Sequence, residues 1–239
     1  MLTRLRTALA RAGSLAPLTV GLAVALSGCG GSSGNGVASK SASQILTASK
    51  AAADSASSVN VASKSSVGPL SLTLNLDLAR DGGRAQVTVG TLSFEVIRTG
   101  NTLYLKGNPV FDQSLLTTTG LHAPQGKWLK TPVNSTRLAQ LASVTDLSGE
   151  LGRVLTSPGP ISKGATTTVN GQKTIELKEA ARLFSGSLYV ATTGKPYPLQ
   201  IVKSGREIGQ TTFSGWNEPV SLTAPPNATA SSQPGHERH

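Results

Sequence analysis

Along residues 70–78 apolar and polar positions alternate without a break. Leu70, Leu72, Leu74, Leu76 and Leu78 are separated by Ser71, Thr73, Asn75 and Asp77. A period of two sends the leucines to one face of a strand and the polar side chains to the other. Asp81-Gly82-Gly83 reads as a hairpin turn. Residues 84–89 then return with Ala85, Val87 and Val89 in phase, and 92–98 alternate through Leu92, Phe94 and Val96. After Thr99-Gly100-Asn101, residues 102–106 place Leu103 and Leu105 on one side and Tyr104 on the other. Adjacent strands with short turns predict an antiparallel meander.

Upstream, the period is helical. Ser43 suits an N-cap, and Ile45, Leu46, Ser49, Ala52, Ala53 and Ala56 form one stripe, which predicts a helix over 43–57. The middle of the chain reads differently. Residues 111–121 fit a short helix or a loop, and 128–130 a short strand closed by Pro132. Helical spacing returns over 135–141 and 147–155, ended by Pro158-Gly159-Pro160. Strands then resume over 161–169 and 173–177, joined by the hairpin signal Asn170-Gly171. Further strands are expected at 187–192, 197–203, 207–214 and 220–223.

The order helix, meander, helices, meander gives an α+β chain. A sheet with one apolar face must be covered, and these helices are few and short. A long meander also curls as it twists. The expected fold is therefore a curled antiparallel sheet, a half-barrel, with a few helices on its concave face around an apolar cavity. Leu72, Leu74, Leu76, Val87, Val89, Phe94, Leu103 and Leu105 are the expected cavity-lining positions.

The first 28 residues read as an address. Arg4, Arg6 and Arg11 precede an apolar run over 15–26, too short to span a bilayer. The run ends in Leu26-Ser27-Gly28-Cys29, similar to a bacterial lipobox, and Cys29 is the only cysteine. Lipidation of Cys29 as a diacylglycerol-cysteine, with palmitate-type chains, follows from that layout. One cysteine leaves no internal disulfide framework and no Cys-based zinc site. The domain plan is a signal peptide over 1–28, the lipidated cysteine and a flexible Gly/Ser linker over 29–42, one domain over 43–226 and a disordered tail over 227–239.

The chain has 239 residues, with 22 Lys+Arg against 12 Asp+Glu, a formal charge of +10 that falls to +7 without the signal segment's three arginines. That surplus is spread along the chain and draws the body toward anionic membrane surface. Aromatic residues make up only 4%, too few for a base-stacking platform, so nucleic acid is not an expected partner.

Enzyme chemistry finds little footing. Gly30-Gly31-Ser32-Ser33-Gly34 matches a nucleophile motif, but it lies in the linker and not on a strand-to-helix turn. Of the three histidines only His122 falls in the body, without a triad context. No ligand cluster spaced for a metal and no phosphate loop appears, so neither a metal nor another cofactor is expected. Lys106, Lys127, Lys130 and Arg137 are the cations available to an anionic headgroup.

The pattern resembles the LppX/LprAFG family of mycobacterial cell-envelope lipoproteins, and more broadly the LolA-like lipoprotein carriers. The resemblance rests on the lipobox, the first helix with the 70–78 strand, Tyr104-Leu105-Lys106, Trp128 and Val169-Asn170-Gly171. It rests also on Leu188-Tyr189-Val190, Gly194-Lys195-Pro196-Tyr197-Pro198 and Phe213-Ser214-Gly215-Trp216-Asn217 with Pro219 and Pro225. It implies a half-barrel whose hydrophobic cavity binds acylated lipids or glycolipids and carries them across the envelope, without catalytic residues. The lipobox places the chain on the outer face of the cell membrane, held by its N-terminal lipid; a monomer is expected, with a membrane transporter as a candidate partner. The alternative is a non-enzymatic envelope interaction protein, accessory to a transporter or receptor, with a closed core.

Overall fold

The computed structural model describes residues 34–121, 126–156, 159–180 and 184–231. Among the described residues twelve strands form one open, curled sheet. The first meander contains β1 (Ser58–Val67), β2 (Leu70–Ala79), β3 (Gly82–Val89), β4 (Leu92–Thr99), β5 (Thr102–Gly107) and β6 (Leu129–Pro132). The second contains β7 (Ile161–Val169), β8 (Gln172–Ala180), β9 (Phe184–Ala191), β10 (Pro198–Gly205) and β11 (Glu207–Ser214). The two meanders join where β1 pairs with β11, antiparallel, in the register Val61 opposite Phe213.

Helices α1 (Ala42–Asp54), α2 (Pro109–Thr119), α3 (Ala139–Ser143) and α4 (Leu147–Val154) cover the apolar face. The first begins earlier than the apolar stripe suggests. Ser41, not Ser43, is its N-cap, because Gln44 at the third helical position completes a reciprocal capping box with Ser41. The 111–121 segment resolves as helix α2, capped by Asn108, whose side chain accepts from Phe111 N at 3.0 Å. Gly107 leaves the space that the Phe111 ring fills, and Phe111 stacks on Phe94 with centroids 4.7 Å apart.

Helices α2, α3 and α4 close the core of the first meander. Phe111, Leu115, Leu138, Leu147 and Leu151 pack on Leu76, Leu78, Val87, Leu103 and Leu105. Helix α1 covers the second meander in a smaller cluster, in which Val37 and Ile45 meet Ile175, Leu177 and Val190.

Four segments depart from the sequence expectation. Strand β1 carries no clear apolar alternation, because its inward positions pass from Val59 and Val61 to Ser63 and Ser65 in the same phase. Residues 220–223 form no strand; prolines at 219, 225 and 226 flank them and offer no N–H to a ladder. Instead the chain runs on to β12 (Thr229–Ala230), which pairs parallel with β6, so the start of the expected disordered tail is ordered. The expected flexible linker is ordered from residue 34. Asn35 Nδ2 donates to Ala191 O and Gly194 O, both at 3.0 Å, and Val37 is buried.

Candidate functional site

The two helix groups leave a gap over β1, β11, β10 and β9, and the sheet beneath it carries unusually small side chains. Two cross-strand rows form the floor. The inner one reads Leu74, Ser63, Thr211, Ile201, Leu188, Leu177 from β2 to β8. The outer one reads Leu72, Ser65, Gly209, Lys203, Gly186, Glu179, Ile161 from β2 to β7. One row deeper the same strands carry Leu76, Val61 and Phe213, all buried, and the core is full. Replacing bulky residues by Ser, Thr and Gly on one face removes the atoms that would fill it, and a hollow results.

Every residue of both floor rows lines one cavity of about 370 Å³. Its roof is Leu46 of α1 together with Glu150, Arg153, Val154 and Leu155 at the end of α4. The apolar wall consists of Leu72, Leu74, Leu188 and Ile201, half-buried because they face the hollow and not a partner. A polar seam crosses the floor, where the Ser63 and Thr211 hydroxyls are 2.9 Å apart.

Charged groups gather at the mouth, each with a partner. Glu150, only 4% exposed, accepts from Arg153 Nε at 3.1 Å and also pairs with its Nη2; Arg153 itself is 67% exposed. Lys203 Nζ lies 3.0 Å from Glu207 Oε2. Glu179 Oε1 accepts from Gly159 N at 3.0 Å. Three carboxylates against two cations give the mouth no surplus of positive charge.

Of the sequence-predicted lining residues, Leu72 and Leu74 line this cavity. Leu76, Val87, Leu103 and Leu105 sit in the filled core of the first meander, and Val89 and Phe94 lie half-buried against it. Lys106 points to the opposite face of the sheet, with Nζ 6.0 Å from the Trp128 ring centroid. Lys127 and Lys130 are exposed and do not line the cavity. Leu26, Ser27, Gly28, Cys29 and His122 lie outside the described residues. Sequence reasoning missed Ser63, Ser65, Gly186 and Gly209. The available signal was the valine phase Val59, Val61, Val67, which runs through both serines.

Among solved structures, the chain is similar to LprF from Mycobacterium bovis, with a TM-score of 0.54 and 16% identity over 77% of this chain and 96% of that one. The fold is that of LprF. The Mycobacterium tuberculosis lipoprotein LppX aligns with a TM-score of 0.48 and 14% identity over 75% of this chain and 98% of LppX. Both belong to the family that the sequence pattern resembles. No family model matches the chain and no curated protein matches its sequence.

Proposed function

We propose that the protein is a membrane-anchored lipoprotein that holds an acylated lipid or glycolipid in this cavity and carries it across the cell envelope. The observation that carries the reading is the hollow itself, walled by half-buried leucines and floored by Ser63, Ser65, Gly186 and Gly209. Its volume of about 370 Å³ falls in the range of small-molecule sites, roughly 300–1,000 Å³. An acyl chain suits an apolar cavity, since each buried methylene contributes about 0.8 kcal/mol. The mouth, with its charges already paired, suits a neutral polar or sugar headgroup better than a strongly anionic one.

Anchoring falls to the Cys29 acyl groups, with the body on the outer face of the cell membrane. No helix among the described residues is long and apolar enough to cross a membrane. The role is binding and transfer, not catalysis, and a membrane transporter is a natural partner for a monomeric carrier. Titration with a dansylated fatty acid tests the reading. Saturable one-to-one uptake, displaced by diacyl lipid, is expected. Fluorescence that rises no further than with a control protein of similar charge would overturn it.

A further inference from the structure

Four large apolar side chains are exposed among the described residues: Val67 at 45%, Leu70 at 51%, Val110 at 47% and Ile208 at 62%. They are far apart in sequence and together in the fold. Val67 and Leu70 close the β1–β2 hairpin and pair with each other. Ile208 lies opposite Ser66 on the other side of β1. Val110 opens α2, and its neighbour Asn108 ties that start to the β3–β4 turn by donating to Thr91 O at 2.7 Å. Leu70 Cδ1 reaches the same turn, 3.5 Å from where a Cβ on Gly90 would stand. All four therefore sit on one edge of the sheet. It is the edge next to the outer floor row, where Ser65, Gly209 and Lys203 line the cavity.

The opposite edge is polar. Its turns contain Arg80 and Asp81, Gly100 and Asn101, and Asn170 and Gly171. Asn35 docks there as well, on Ala191 and Gly194. An even scatter of single exposed aliphatics is ordinary, but their confinement to one edge marks an interaction surface.

We propose that this apolar edge docks on a lipid bilayer, with Val67, Leu70, Val110 and Ile208 entering the headgroup–acyl boundary beside the cavity mouth. Tips that project aliphatic side chains from a rigid sheet can enter that boundary without unfolding. The chain without its signal segment keeps a surplus of positive charge, which draws it toward a bilayer with anionic lipid. At the edge itself Glu207 is paired with Lys203, and exposed Arg206 stands beside Ile208 at the β10–β11 turn. The docked edge leaves a lipid a short route between bilayer and cavity, past the outer floor row. This surface does not depend on the cavity's occupant, so either reading can fail alone.

The test uses the full chain with Cys29→Ser, which removes the native thiol, and one environment-sensitive thiol dye per variant. Pro69→Cys and Thr91→Cys report on the apolar edge, Asn101→Cys on the polar one. With phosphatidylglycerol–phosphatidylcholine vesicles, the expected result is a blue shift and quenching by bilayer nitroxide at 69 and 91, absent at 101. Leu70→Ser with Ile208→Ser should abolish both signals. Equal signals at all three positions would mean that the leader alone holds the chain on the vesicle, and would overturn the proposal. So would unshifted dyes at 69 and 91. A shift that appears without vesicles as protein concentration rises would assign the edge to a second copy instead. Dye insertion without lipid uptake by the cavity would retain the docking surface and remove the carrier role.

Discussion

Ser65 on β1 stands directly opposite Gly209 on β11, so closely that a Cβ on Gly209 would lie 2.4 Å from the serine's own Cβ. The pair brings the two strands together at the seam between the meanders while leaving the space above them empty. With Ser63 and Thr211 one row in, it turns what would be core into floor. The cavity is thus written into the sheet.

Filling that space from the floor should separate ligand capacity from stability. Ser63→Leu places an aliphatic side chain into the hollow, with the Thr211 hydroxyl losing one partner at 2.9 Å. The buried leucine offsets that loss at about 2 kcal/mol. We expect the urea midpoint to hold or rise while affinity for a dansylated fatty acid falls by at least about tenfold. A variant that binds the probe as tightly as the parent would place the ligand elsewhere.

The roof of the cavity depends on a buried acid. Glu150 is 4% exposed and pairs with Arg153. Arg153→Ala leaves that carboxylate without its cation, which costs about 1–2 kcal/mol once the exposure of the arginine is allowed for. Adding Glu150→Gln should recover most of the loss, because the neutral amide has no charge to leave unpaired. Urea denaturation of the single and double variants reads the cycle.

The end of the seam is held by aromatic stacking. Tyr197 and Trp216 stack with centroids 4.5 Å apart and planes 3° from parallel, and Trp216 Nε1 donates to Pro198 O at 3.2 Å. Asn217 adds a bond to the Tyr197 hydroxyl at 2.7 Å and accepts from Ser57 N at 2.9 Å. Trp216→Ala should cost about 3 kcal/mol, and Trp216→Phe, which keeps a ring but loses the donor, about 1 kcal/mol. Chemical denaturation of both variants checks the order as well as the sizes.

One change should stabilise. Ser49 is fully buried in α1, and its hydroxyl has no hydrogen-bond partner among the described residues. Ser49→Ala removes an unsatisfied polar group and improves helix propensity, for a gain of about 1 kcal/mol. Thermal unfolding should move upward by several degrees.

The sequence made the first meander legible because its leucines and valines keep a strict period of two on the face that carries the packed core. Leu76, Leu103 and Leu105 needed only that period to be placed in the interior. The cavity was harder to read for the same physical reason that it exists. Ser63, Ser65, Gly186 and Gly209 occupy inward positions but carry no apolar signal, so periodicity passed over the floor and, with it, strand β1. Cross-strand register, which only the folded chain supplies, aligned them. The helix start at Ser41 and the pairing of Thr229–Ala230 with β6 were also beyond periodicity. One depends on a side-chain bond and the other on where the chain arrives after a proline-rich stretch.

The most direct test of the account is native mass spectrometry of the protein purified from a lipid-containing host, beside its Ser63→Leu variant. The account predicts a discrete added mass on the parent, removed by organic extraction and absent from the variant. A bare polypeptide mass that stays unshifted after incubation with diacyl and triacyl lipids would contradict it.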